Sequence, residues 1–422
     1  MAENFNTVSG GQGPGGLDRA LGNLVAIRQA LASPDPQVRI EALKEALHHG
    51  EEGAQLLIKA LHEDGDWEVK FAAWETLLNS GDPWLVQVAK AYQIPLRQVG
   101  DIRAKYGASE RDFRWANLRG ADLSRANLSG ADLRGANLSK ANLSRAKLTW
   151  ANLSGANLSE ADLRGANLRW AKLRGSAISE TTRLDPKWRL VWEIVNGQAS
   201  LKNLYRANLS GADLSGVNLR EADLGGANLR EANLSGADLS NAKLRGSVIS
   251  ETTQLDPKWR LVWEIVNSQA GLKNLSGADL SGANLSGSNL SRASLGEANL
   301  CGTDLRDANL IGANLSRADL RDADLRGAHL QEVNLAGADL RGANLRGANL
   351  TGANLSRAQL IGADLDEANL SQANLSGADL SWAKLLGTQL REANLAGARL
   401  NLGWGWLKDL TGTILPDRTY HP

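Results

Sequence analysis

The sequence predicts a mainly β solenoid preceded by an α-helical module, and three observations predict it. From Ala116 the chain reads ANLRG ADLSR ANLSG ADLRG ANLSK, a five-residue period centred on leucine that runs, with two interruptions, nearly to its end. Residues 17–108 instead follow a helical pattern that repeats at an offset of 31 residues. The two interruptions, 171–204 and 242–275, differ from one another at only four of thirty-four positions.

The five-residue period decides the fold. With Leu118 as centre i, position i−2 is Ala, i−1 is Asn or Asp, i+1 is often Ser or Arg, and i+2 is very often Gly. A helix would place apolar residues every 3.6 positions and a strand every 2, so neither gives one leucine and one small residue in five. If each pentapeptide makes one straight side and turns at i+2, four sides close a coil of twenty residues. Leucine and alanine then point inward, with alanine small because so narrow a square holds only one large side chain per side. Gly at i+2 suits a corner, where positive φ is cheap for glycine alone. Units that bury one face on their neighbours at a fixed short period make a solenoid. The motif resembles the pentapeptide-repeat family, and the resemblance implies a right-handed quadrilateral β-helix.

The N-terminal part divides into an expected flexible tail, 1–16, and a helical domain, 17–108. DPQVRIEALKEAL from Asp35 aligns with DWEVKFAAWETLL from Asp66, placing Val38 on Val69, Arg39 on Lys70 and Leu47 on Leu78. Each segment opens on an aspartate suited to cap a helix and ends at a glycine, Gly50 or Gly81. Second helices are expected over Ala54–His62 and Pro83–Tyr92. The paired helices resemble HEAT repeats, which bind other proteins along a groove, and a related helical repeat occurs in lyases that act on phycobiliproteins. His48, His49 and His62 lack the spacing of a metal or acid–base set and read as surface helix residues.

The coil divides into blocks 111–180, 202–251 and 273–402, separated by inserts 181–201 and 252–272 and followed by a cap, 403–422. Fourteen, ten and twenty-six centres are about twelve coils, or roughly 60 Å at the spacing of strands. Each insert reads LDPKWRLVWEIVN. Asp185 or Asp256 is placed as a helix cap and Pro186 or Pro257 at the first turn. Trp188, Val191, Trp192 and Val195 make an apolar stripe, with Arg189, Glu193 and Asn196 expected opposite it. The inserts are expected to be lateral docking elements, with Trp188, Trp192, Trp259 and Trp263 as protein-binding anchors; covering the coil's own wall is the alternative use. Trp150 and Trp170, both at i+2 and twenty residues apart, are expected to stack outside the coil as a further protein-binding pair. Trp404 and Trp406 fall where the pattern fails and are placed in the cap, with a dimer contact as the alternative.

Charge separates the functional readings. The chain has 47 basic and 47 acidic residues. Residues 1–110 carry 10 basic against 15 acidic, residues 111–180 carry 12 against 6, and residues 273–402 carry 12 against 14. Some pentapeptide-repeat proteins act on topoisomerases as acidic mimics of duplex DNA, which needs a continuous negative surface that this charge pattern lacks. Arg114, Arg119, Arg134 and Arg174 are scattered over several faces and do not form a phosphate track, so no nucleic-acid partner is expected. Along the third block Arg306, Arg326 and Arg346 form a ladder, with Asp307 and Asp366 as expected partners. Asn and Asp alternate at i−1 as a solvated position allows. No nucleophile set, phosphate loop or cysteine cluster is present, Cys301 being the single cysteine. The expectation is a non-enzymatic scaffold or linker without cofactor or metal. It is placed in the cytoplasm, without a membrane span. Its partners are other proteins, with the phycobiliproteins of a cyanobacterial antenna as the resemblance implies, and it can oligomerise through the cap. A DNA-mimic regulator of a topoisomerase is the alternative.

Overall fold

The computed structural model of the chain describes residues 24–64, 67–91, 111–200, 204–268, 274–400, 410–417 and 419. The expected tail, the cap of the second helical repeat at Asp66, and Trp404 and Trp406 lie outside the described residues. The chain divides into two compact units, Met1–Val99 with Arg114–Asn117, and Gly100–Phe113 with Leu118–Pro422.

The first unit is helical: α1 (24–31), α2 (Pro36–Ala46), a 3-10 turn Leu47–His49, α3 (Gly50–Glu63), α4 (Trp67–Leu78) and α5 (Pro83–Ala91). Asp35 caps α2 as expected, accepting from the Gln37 N–H at 2.8 Å. Leu43, Leu57, Leu61, Val69 and Leu77 are fully buried together. The offset of 31 residues pairs Arg39 with Lys70, yet the two do different things. Arg39 is buried and forked onto Asp64 at 3.0 and 3.2 Å, and it also donates to the Ser33 carbonyl. Lys70 only reaches the His62 carbonyl.

The second unit is a coil. Parallel single-residue bridges join i−1 residues twenty apart, as in Asn314↔Asn334↔Asn354↔Asn374↔Asn394. Twenty residues of five-residue sides make four sides per turn. The leucine N–H donates to the i−1 carbonyl of the next coil, Leu320 to Asp339 at 2.7 Å, and the alanine carbonyl accepts the i−1 N–H of the next coil, Ala313 from Asn334. Leucine and alanine point inward: Leu320, Leu340, Leu360, Ala338 and Ala358 are wholly buried. At each corner the residue after i+2 donates back to the leucine carbonyl, Ala343 to Leu340 at 3.0 Å, with positive φ at i+2, a type II turn. Gly342 has φ +68° there. The corner is not reserved for glycine, since Trp150, Trp170, Trp382 and Glu367 take the same conformation, a strain the surrounding ladder imposes.

Threonine at the alanine position keeps its hydroxyl bonded inside the wall. Thr303, Thr388 and Thr413 donate to the carbonyls of Leu280, Leu365 and Leu390 at 2.9, 2.9 and 2.7 Å. Thr413 belongs to sides that continue beyond Leu400 in the same register: Ile414 bridges Asn394, and Leu395 donates to the Ile414 carbonyl. The described part of the segment expected to be a cap is therefore further coil.

Position i−1 is also more than solvated. Its Oδ1 accepts the i+1 backbone N–H, as Asp319 does from Arg321 at 3.2 Å and Asn354 from Ser356 at 3.1 Å. Asp and Asn interchange because either supplies that oxygen. The asparagines add a ladder, Asn334 Nδ2 donating to Asn314 at 3.0 Å and Asn354 to Asn334 at 3.1 Å.

Candidate protein-binding surface

The insert helices α6 (Pro186–Val195) and α7 (Pro257–Asn267) lie on the coil rather than away from it. Trp188, Trp192 and Trp259 are buried and Trp263 is half-buried. The Trp192 indole N–H donates to the Ser176 carbonyl at 2.9 Å, and Trp263 does the same to Ser247 at 3.0 Å. In an uninterrupted coil a carbonyl at the alanine position accepts a backbone N–H from the next turn; here an indole takes that place. The four tryptophans expected as anchors are thus engaged with the coil's own wall, the alternative use, and the Trp192 and Trp263 N–H groups each have a carbonyl of that wall to satisfy.

The polar residues of the inserts also turn out to serve the coil. Asp185 stands at the cap position but its carboxylate makes no bond to the helix; it accepts from the Gly165 N–H one coil away, as Asp256 does from Gly236. Asn196, expected on the outer side, accepts from the Gly175 N–H at 2.7 Å and donates to the Leu173 and Trp192 carbonyls. Asn267 repeats all three contacts. The coil itself runs further into each insert than the expected boundary, since Arg183 bridges Asp162 and Gln254 bridges Asn233.

Trp150 and Trp170 do stack outside the coil, with ring centroids 4.6 Å apart and planes 15° from parallel. Trp170 is fixed from below: its N–H donates to the Glu231 carbonyl at 2.6 Å, and the Arg169 guanidinium lies 4.7 Å over its ring while pairing with the Glu231 carboxylate. Trp150 remains 56% exposed.

Sequence reasoning missed the other outward apolar residues. Trp382 is 75% exposed and Leu386 56%, with Tyr205 at 55% and Ile311 also exposed. All stand at i+1 or i+2, the outward positions, so the repeat rule itself held the signal: an apolar residue off the Leu and Ala positions has no interior to enter.

The charges on the wall are mostly neutralised locally. Where i−1 is Asp and i+1 is Arg the two pair, as Arg321 with Asp319, Arg326 with Asp324 and Arg341 with Asp339, each at 2.6 Å. Arg306 pairs with Asp304 at 2.7 Å and approaches Asp324 at 3.7 Å, so its partners are i−1 aspartates rather than the expected Asp307. Arg346, with Asn at i−1, reaches Glu367 and the expected Asp366 instead. The Arg321 and Arg341 guanidinium groups hold the carboxyls of Asp319 and Asp339 below the usual carboxylate range. Burial pushes the Lys187 amine down, and Arg169 adds to the effect. Among the described residues no group of three or more His, Cys, Asp or Glu is disposed to hold a metal ion, and no helix is long and apolar enough to cross a membrane.

A coil of stacked pentapeptides with helical repeats before it defines a class of repeat protein, and comparison with known proteins agrees. Pentapeptide repeats match in eight copies over residues 112–149, 141–176, 203–247, 274–307, 304–342, 334–372 and 373–401, more than half of the chain, and HEAT repeats match residues 24–92. The chain belongs to the pentapeptide-repeat family. Among solved structures it is similar to HetL, a pentapeptide repeat protein involved in heterocyst differentiation regulation from the cyanobacterium Nostoc sp. strain PCC 7120. The identity is 29%, over 77% of this chain and 100% of HetL, with a TM-score of 0.33. A pentapeptide repeat protein of the Arabidopsis thaliana thylakoid lumen is 33% identical over 25% of this chain and 69% of its own, with a TM-score of 0.17. QnrB1, a plasmid-mediated fluoroquinolone resistance protein, is 19% identical over 45% of this chain and 85% of its own, with a TM-score of 0.15. No curated protein matches the chain.

Proposed function

We propose that the protein is a non-catalytic scaffold, a right-handed quadrilateral β-helix joined to a HEAT-like helical domain, that holds protein partners in a large assembly. The observation that carries this reading is the set of large apolar side chains, Trp150, Tyr205, Trp382 and Leu386, left more than half exposed at outward positions of the wall. Exposed aromatic and aliphatic groups on a rigid surface are the usual anchors of protein recognition. A phycobilisome or similar antenna in the cytoplasm is the finer form of the proposal, supported by the resemblance of the helical repeat to lyases of phycobiliproteins. The DNA-mimic reading asks for a continuous negative surface, whereas Asp304, Asp319, Asp324 and Asp339 each carry an arginine. Affinity isolation from native extract at low salt, with Trp382→Ser/Leu386→Ser alongside, tests the proposal. Specific protein partners, fewer with the double variant, are expected. Recovery of topoisomerase subunits, together with inhibition of DNA supercoiling by the purified protein, would replace it with the alternative.

A further inference from the structure

Resting on the scaffold reading and deepening it, we infer that the coil side formed by residues 126–130, 146–150 and 166–170 binds an extended acidic segment of a partner protein that sets an aromatic ring on Trp150. Residues twenty apart lie one above another, so Gly130, Trp150 and Trp170 share one corner column. The indoles of Trp150 and Trp170 are stacked at one coil spacing. Directly above Trp150 the column holds Gly130, which is exposed, and a Cβ built there meets nothing within 4 Å. One face of Trp150 is thus covered by Trp170 while the other opens onto a vacant step of the same stack. A planar ring entering that step continues an arrangement the wall already makes, which is favourable for aromatic pairs.

The charge beside the slot selects the rest of the ligand. These three sides carry Lys147 and Arg169 and not one carboxylate, and the corner that leads into them carries Arg125 and Arg145. Arg125, Arg145 and Lys147 are exposed, and among the described residues no carboxylate lies within ion-pair distance of them. Only Arg169 is neutralised, by Glu231. A cationic edge therefore faces an aromatic corner across one side of the square, a span that a few extended residues cover at about 3.3 Å each. Aspartates or glutamates at one end and an aromatic residue at the other satisfy both. A single-stranded nucleic acid fits less well, since it asks for successive ring platforms and a cationic track along its backbone. Here one ring face is open, and the sides next to the strip hold paired charges, Arg134 with Asp132 and Arg164 with Asp162.

The full-length protein is titrated at low salt into a fluorescently labelled peptide of alternating Glu and Asp around one Tyr, and into a copy with Tyr replaced by Ala, reading polarisation. The Tyr peptide is expected to bind about tenfold more tightly than the copy. Trp150→Ala, Lys147→Glu and Gly130→Trp should each weaken the Tyr peptide by about tenfold with unchanged circular dichroism. Gly130→Trp fills the slot from within, and the fold accepts tryptophan at this corner, as Trp150 at φ +63° and Trp170 at φ +57° demonstrate. Should Gly130→Trp nonetheless fail to fold, Trp150→Ala decides. Equal binding of the two peptides, wild-type affinity in Trp150→Ala, or tighter binding of labelled oligothymidylate that Trp150→Ala abolishes would each overturn the inference. The scaffold reading would then still stand or fall by the native isolation alone.

Discussion

Asn196→Ala removes three hydrogen bonds, two to the coil edge that the insert leaves without its next side, accepted from Gly175 and donated to Leu173, and one donated to Trp192 of its own helix. At a net 0.5–1.5 kcal/mol per bond, and with the side chain only half-buried, the expected loss is about 2 kcal/mol. The loss should be local, because contacts in a solenoid are made mainly between neighbours. Hydrogen exchange read by mass spectrometry is the suitable assay, with the Ala177 amide as reporter since its own acceptor, the Ala156 carbonyl, is untouched. Exchange there should accelerate by about 30-fold, while the duplicate region 244–248, held by Asn267, stays at its wild-type rate. Asn196→Asp should be no better than alanine: it keeps the acceptor for Gly175 but sets a carboxylate against two carbonyls. If Asn196→Ala exchanges no faster than Glu193→Ala, the asparagine is not a stand-in for the coil and the reasoning is wrong.

Three further outcomes are expected. Leu320→Lys buries a charge in a position with no exposure and should open the neighbouring coils at several kcal/mol, whereas Ser316→Lys, on an outward position, should be tolerated; equal denaturation midpoints would refute the inward assignment. Thr388→Val keeps shape but loses the bond to the Leu365 carbonyl, which Ala368 also serves, so the cost should be about 1 kcal/mol or less by chemical denaturation. Asp319 and Asp339 have depressed folded pKa values, so their pairing stabilises above the unfolded value of about 4 and is lost as pH falls through the lower folded values. The deficit of Arg321→Gln/Arg341→Gln relative to wild type should therefore be present at pH 7 and fade below about pH 4; a deficit that persists undiminished in acid would show that the arginines act by packing.

The interior was legible because it obeys one rule: Leu320 and Ala338 are inward for the same reason as every other leucine and alanine in phase with them. The stack of Trp150 on Trp170 followed from spacing alone. What the pattern hid is what the polar residues do to the backbone. Nothing in a run of Asn and Asp distinguishes a solvated side chain from one whose oxygen accepts the N–H two residues on, because the two residue types share that oxygen. Asp185 and Asn196 misled for a related reason. A helical wheel assigns them by their own helix, while their hydrogen bonds are set by the coil edge that the insert interrupts. Trp382 and Leu386 were within reach of the repeat rule, but as single departures among fifty centres they carry no period of their own.

The duplication of the insert has a directional consequence. Ten leucine-centred sides, from Leu204 to Ile249, separate the return of the chain from α6 and its departure into α7. At four sides per turn that is two and a half turns, and the bridges agree: Leu204 lies in the column of Leu224, whereas the departure at Gln254 pairs with Asn233, two sides round. The two copies of one sequence therefore look out in opposite directions. A partner that recognises the outer surface of one helix cannot meet the other by sliding along the wall; it must either reach around the coil or leave the second copy for another molecule on the far side. A repeat unit containing a whole number of turns would have set the two helices in line, so the half turn makes this coil a two-sided object from a one-sided sequence.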